Sequence, residues 1–274
     1  MNRNKTKKNI EKEIKSWTET IFDTDLRENV RRDLVVSGGC IASMLLDQPV
    51  EDYDVYFRNV HTAARLAEFY LNVAGFAPGK SLVTFSKDRL DSTERGGSVS
   101  ITGTPFTALK DIADLGDYAP IYFSKNAITL TAGIQIIIKF CGSIDTIHKT
   151  FDFEHTKNYY ADGELVLSQE SLEAILAREL RYVGTGYPVH ALLRTRKFEK
   201  RGWKIANSEI FKILYDISKL DMTKPEVLSE QIGGMYGNML AERLTALKPA
   251  SREEFFSLVE EYYSGNSEML GNYL

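Results

Sequence analysis

The chain has 274 residues, of which 43% are hydrophobic, 26% charged and 11% aromatic, and it carries a net charge of −4. That length suits one large domain or two modest ones, and it buries roughly three quarters of the surface that the unfolded chain exposes. The acidic balance argues against wholesale wrapping of nucleic acid and leaves room only for a local basic patch.

From the N-terminus, residues 8 to 32 are charged and periodic, with Ile10, Ile14, Trp17, Ile21 and Leu26 available for one apolar face. This spacing predicts one or two helices ahead of the core. "DLVVSGG" reads as a short β-branched strand ending in glycines, "CIASMLLD" as a helix and "YDVYF" as a second strand. "VHTAARLAEFYLNVAG" is an amphipathic helix with Gly75 as its stop. The polar stretch "SKDRLDSTERGGSVSITG" reads as a mobile loop or hairpin tip. "PIYFS", "AITLT" and "GIQIIIKF" read as consecutive strands, "SIDTIHKT" as a helix, and "FDFEHTKNYY" as one more strand. After about Ser168 every segment has helical character, beginning with "SQESLEAILARELRYV" and "VHALLRTRKFEKRG". The expected architecture is therefore α+β: a mixed-sheet head with flanking helices over residues 1–165, then an all-helical C-terminal domain over 166–274.

Cys40 and Cys141 lie far apart and outside any metal-ligand spacing, which points to a reducing compartment. The basic N-terminus has no apolar segment of a secretory signal, and the apolar run "IQIIIKF" is far short of the ~20 residues that span a bilayer. The expectation is a cytoplasmic protein with no membrane partner.

The chemistry concentrates in "SGGCIASMLLDQPVEDYDVYF". Asp52 and Asp54 stand two apart on an expected strand, so both carboxylates point to one face with Cα atoms about 6.6 Å apart. Two such charges repel unless a cation sits between them, and hard oxygen donors suit Mg²⁺ or Mn²⁺. At the strand-to-helix turn, Ser37, Gly38 and Gly39 let backbone N–H groups approach a phosphate. The same residues in other contexts are ordinary: an Asp-x-Asp pair is common on solvated strands, and a Gly-Gly turn is usually only a turn. Their conjunction at this spacing is what carries the functional reading.

A strand, a glycine pair, a helix and an Asp-x-Asp strand resemble the polymerase β-like nucleotidyltransferases. The local form is most similar to the head of the CCA-adding and poly(A)-adding enzymes. "SKNAITL", "IQIIIKF" and "TFDFEHTKNYY" resemble nucleotidyltransferase-like proteins of large bacteriophages, and these segments together cover roughly the first 165 residues. The resemblance implies a nucleoside triphosphate as substrate, metal binding and catalysis by Asp52 and Asp54, and nucleotide binding by Ser37, Gly38 and Gly39. It implies transfer of a nucleoside monophosphate to an acceptor hydroxyl, with an RNA such as a tRNA 3′ end or a protein as acceptor. Asp152 is implied as a third catalytic and metal-binding carboxylate, or as a ribose contact, with Glu154 as its substitute. "LLRTRKFEKRGWKI" resembles the helix following the head in CCA-adding enzymes, which makes Arg194 a nucleotide-binding candidate. On a helix Arg194, Lys197 and Arg201 share a face. The Glu-Asp-x-x-Arg base-reading element of those enzymes is unmatched, since "YPVHA" stands in its place, and "IQIIIKF" has no acid where some relatives carry one. Gln135 is there instead, as a lining residue or a plain strand residue. Rival readings are a nucleotide- or RNA-binding module without transfer activity, and a toxin or defence-related enzyme that modifies tRNA or protein. "GFAPGKS" fails as a P-loop because three residues, not four, separate its glycines.

Overall fold

A computed structural model of the chain describes residues 2–76, 82–86, 95–102, 116–222, 224–232 and 251–265. Residues 233–250, within the stretch after Ser168 that is expected to be helical, and residues 87–94 of the polar stretch lie outside the described residues. The chain divides into two compact units, Met1–Phe151 with His155–Ile175, and Asp152–Glu154 with Leu176–Leu274.

In the first unit, helices α1 (Arg3–Glu19) and α2 (Thr24–Asp33) precede β1 (Leu34–Ser37), α3 (Gly39–Leu45), β2 (Tyr53–Phe57) and α4 (Val60–Val73). The pair β3 (Leu82–Ser86) and β4 (Ser98–Thr102) is antiparallel. There follow β5 (Pro120–Phe123), β6 (Ala127–Leu130), β7 (Ile134–Cys141), α5 (Ile144–His148), β8 (Tyr159–Ala161) and β9 (Glu164–Val166). Seven of these strands form one mixed sheet in the order β5-β6-β7-β2-β1-β8-β9, in which β2 and β7 are the parallel neighbours.

Alternation along the strands sorts the sheet's two faces. One face carries Leu34, Val36, Val55, Phe57, Ile128, Leu130, Ile134, Ile136 and Ile138, none more than 3% exposed. α4 packs on β2 and β7, and its Tyr70 hydroxyl accepts a 2.8 Å hydrogen bond from the Trp17 indole of α1 in the buried interior. On the other face Val35, Tyr56 and Ala161 pack with Ile147 and Phe151, and Ile137 and Ile144 join them at the margin. The apolar alternation of "LVVS" and "IQIIIKF" thus becomes a sheet buried fully on one side and partly on the other.

The expected strand over "FDFEHTKNYY" forms only at its end. Phe153 makes an isolated bridge to Tyr182, Glu154–Thr156 is a 3₁₀ turn, and pairing with β1 begins at Tyr159. The helix expected over "SQESLEAILARELRYV" is also shorter. α6 (Gln169–Ala177) stops where Arg178 takes φ +51°, and β10 (Glu179–Leu180) then pairs in parallel with β11 (Lys204–Ile205). Leu180 is 1% exposed, and burying it in that pair outweighs the local helical preference. Otherwise the described part of the second unit is helical: α7 (Pro188–Lys200), α8 (Asn207–Ile217), α9 (Pro225–Ile232) and a last helix, Arg252–Gly265. Edge-on contacts join Phe153 to Tyr182 and Phe198, and Phe198 to Trp203. Among the described residues, no helix is long and apolar enough to cross a membrane.

Tyr70→Phe strands the buried Trp17 indole N–H without an acceptor, at a cost of about 1–3 kcal/mol. Urea unfolding is expected to show the midpoint shifted down by that amount with an unchanged slope.

Candidate active site

β1 and β2 are antiparallel, with Val36 opposite Val55, so the end of β1 lies beside the start of β2. That register brings the glycine turn and the acidic pair together. Gly38 takes φ +108°, a conformation that only glycine adopts at little cost. A Cβ built there would stand 2.8 Å from Asp54 Oδ2, so the Asp54 carboxylate is seated directly against the bare Cα. Gly39 opens α3, and a Cβ there would meet nothing within 4 Å. Asp52 immediately precedes β2 and is exposed, whereas Asp54 is half-buried.

Tyr53, between the two acids, turns to the opposite side of the strand. Burial raises its phenol to about 12, helped by Glu13 of α1. The thiol of Cys40, on the first turn of α3, is driven far above its ordinary value by burial first and then by the negative charges of Asp54 and Asp52. Both carboxylates therefore project their field onto the start of α3. A second glycine supports this arrangement. Gly133 (φ +78°) precedes β7, and a Cβ there would collide with the Glu51 carbonyl oxygen at 2.9 Å and reach Asp52 Cα at 3.7 Å.

The turn itself is anchored from beneath. Ser37 is fully buried, and its hydroxyl donates to the Asn158 carbonyl at 2.8 Å, with the Thr156 carbonyl at 3.3 Å. It also meets His148 Nε2 at 3.1 Å, with the imidazole as donor when the hydroxyl proton goes to a carbonyl. The Gly38 N–H donates to the Thr156 carbonyl at 3.1 Å. The Ser37 hydroxyl and the Gly38 N–H thus hold the turn, and of the three expected phosphate contacts Gly39 is the one with open space around it. Burial lowers the His148 imidazole to about 4, aided by Lys157, so it is neutral at physiological pH. His148 and Gly133 are contributors that the residue pattern does not reveal.

A carboxylate on β2 and another just before it suit Mg²⁺ or Mn²⁺, because Mg²⁺ is typically held by one or two carboxylates together with substrate phosphates and water. Among the described residues, no group of three His, Cys, Asp or Glu side chains is placed to hold a metal ion. Asp152 belongs to the second unit, where its buried carboxylate is paired with Arg194 at 2.9 Å. Its backbone carbonyl accepts from Val183 N–H at 3.1 Å, and burial makes its carboxyl a weaker acid than usual against the opposing pull of Arg194 and Thr185. Asp152 and Arg194, 42 residues apart, therefore act as one ion pair.

Gly38→Ala adds a Cβ into the space of the Asp54 carboxylate and a φ costing about 1–3 kcal/mol. It is expected to weaken Mn²⁺ binding, followed by titration calorimetry, in a chain that retains its circular dichroism spectrum. Acid sensitivity has a defined sign. An imidazole depressed in the folded chain favours unfolding as it protonates, so stability is complete above about 6.5 and is lost as pH falls toward about 4. His148→Gln is expected to flatten the fall of the melting temperature across that window. Some slope remains from His190, which burial lowers to about 3.

The family described as Gabija anti-defense 2 family protein matches residues 8–178. Gabija anti-defense 2 of Bacillus phage SPbetaL7 is 24% identical over 213 residues, which make up 76% of this chain and 43% of that relative. The chain thus matches less than half the length of that relative. Among solved structures, it is similar to the Thermotoga maritima CCA-adding enzyme complexed with tRNA, with a TM-score of 0.40 and 13% identity over 86% of this chain and 54% of that one. A tRNA-processing enzyme in an apo form gives 0.42 and 15% over 93% and 56%. The Bacillus stearothermophilus CCA-adding enzyme in complex with CTP gives 0.35 and 14% over 76% and 44%. With its match spanning more than half of the sequence, the chain belongs to the Gabija anti-defense 2 family.

Proposed function

We propose that the protein is a metal-dependent nucleotidyltransferase that moves a nucleoside monophosphate from a nucleoside triphosphate to an acceptor hydroxyl. The single observation that carries this reading is the seating of the Asp54 carboxylate against Gly38, one strand from β1 and two residues from Asp52. The acceptor oxygen bonds to the α-phosphorus as the bond from that phosphorus to the bridging oxygen breaks. Pyrophosphate leaves, and the hydroxyl proton passes to water. Asp52 and Asp54 would hold Mg²⁺ or Mn²⁺, which supplies charge neutralisation of the triphosphate. Gly39 and the turn held by Ser37 and Gly38 place the β and γ phosphates. In such transfers positioning and electrostatics supply most of the rate, with little covalent work by the protein.

The Asp152–Arg194 pair is a polar centre of the second unit suited to a ribose hydroxyl and a phosphate. A buried carboxylate already neutralised by a guanidinium is a better acceptor for a ribose hydroxyl than a source of charge for a metal, and half of the Arg194 side chain remains exposed for phosphate. RNA, such as a tRNA 3′ end, is the proposed acceptor. The name of the phage relative supports a setting in which this activity acts against a host defence, with a protein of that defence as the rival acceptor.

The test is incubation with each α-labelled nucleoside triphosphate, Mg²⁺ or Mn²⁺, total cellular RNA and protein, resolved on a denaturing gel. Asp52→Asn and Asp54→Asn are each expected to cut transfer by about 100-fold or more while the chain stays folded. Undiminished transfer by the double variant would sink the assignment. Calorimetric nucleotide binding without pyrophosphate release against any acceptor would point to a binding module.

A further inference from the structure

The row of the sheet that holds Asp54 runs on toward the sheet edge. Asp54 is in register with Gln135 on the parallel strand β7, Gln135 with Thr129 on β6, and Thr129 with Tyr122 on β5. Register partners project to the same face at strand spacings of about 4.8 Å, so the four side chains form one line. All four are half-buried. The next row on this face, Val35, Tyr56 and Ile137, is closed over by Ile144, Ile147 and Phe151. Exposure on this face around Asp54 therefore follows a single polar row.

Asp54 has two neighbours across the sheet, the glycine turn at the end of β1 and Gln135 on β7. An in-line displacement sets the entering and leaving oxygens on opposite sides of the phosphorus. With the departing phosphates on the glycine side, the entering hydroxyl comes from the Gln135 side. Resting on the transfer reading above, we infer that Gln135 is the positioning residue for the acceptor hydroxyl, and that Thr129 and Tyr122 continue the subsite beneath the terminal nucleoside of an RNA acceptor.

The chemistry of the row selects that occupant. Beyond Asp54 it offers an amide, a hydroxyl and an aromatic ring whose own hydroxyl is buried, with no cation to meet a phosphate or an acidic peptide. An amide presents a donor and an acceptor side by side, which matches sugar hydroxyls and base edges, and an aromatic ring offers a base a stacking face. A strip of roughly 10 Å from Gln135 to Tyr122, two strand spacings, accommodates sugar and base together, whereas a lone protein hydroxyl would use only its first position. Because Gln135 is neutral, the hydroxyl proton is not taken by a group on β7.

The test is steady-state transfer from a labelled nucleoside triphosphate to a short oligoribonucleotide with a free 3′ hydroxyl, by the wild type, Gln135→Ala and Gln135→Glu, each with its melting temperature. Gln135→Ala is expected to raise the KM for the oligoribonucleotide about 5- to 10-fold, the size of one lost neutral hydrogen bond, with the KM for the triphosphate unchanged. Gln135→Glu is expected to recover the acceptor KM and to add an acid limb to the pH profile of kcat. An acceptor KM that does not move in Gln135→Ala, or one that moves together with the triphosphate KM, overturns the positioning role while leaving the transfer reading intact. Labelling of protein alone overturns the nucleoside subsite. Absence of transfer by the wild type to any acceptor overturns the transfer reading and this inference with it.

Discussion

The absence of a side chain at Gly38 is the constraint on which the candidate site depends. The end of β1 and the start of β2 are neighbours in a tightly packed sheet, and the Asp54 carboxylate occupies the volume that any Cβ at position 38 would claim. Close packing leaves no slack for compromise, so the turn has to be glycine for the acid to be where it is. The same turn takes a positive φ, which glycine alone accepts cheaply, and the two requirements coincide at one residue. Gly133 repeats the solution on the other side, where the entry to β7 passes over the main chain at Glu51 and Asp52.

What surrounds this contact is divided between support and exposure. Beneath the turn, the Ser37 hydroxyl and the Gly38 N–H hydrogen-bond to carbonyls of residues 156 and 158, while a neutral His148 completes the network. Buried polar groups that are paired in this way cost little and fix one geometry. Above the turn, Asp52 is exposed, Asp54 is half-buried and Gly39 has open space beside it. The apolar faces of β1, β2 and β7 hold the acids at the rim of a packed sheet.

The second unit has its own polar centre. Asp152 is nearly fully buried and would be expensive to keep charged alone; Arg194 on α7 supplies the compensating charge, and half of that guanidinium side chain remains accessible. Aromatic side chains of the same unit, Phe153, Tyr182, Phe198 and Trp203, give it a core despite short helices and a two-residue strand pair.

Much of the first unit was legible because its signals are local. β-branched runs marked β1 and β7, the glycine pair marked the turn, and "YDVYF" marked the strand that carries Asp54. The α+β class followed from the order of strands before helices. Less was legible where a residue's role is set by a distant partner. Nothing near position 37 announces that His148, 111 residues on, meets its hydroxyl, or that residues 156 and 158 consume the donors of the turn. "FDFEHTKNYY" alternates like a strand, yet Asp152 leaves the sheet to pair with Arg194, and Leu180 abandons a helical pattern for a buried strand pair. The line from Asp54 through Gln135 and Thr129 to Tyr122 joins four strands whose register no single segment encodes. The sequence by itself determined the periodicities, the turn and the acids, because those depend on neighbours a few residues away. The tertiary structure decided which polar groups became scaffold and which stayed exposed, because burial and pairing are properties of the packed chain.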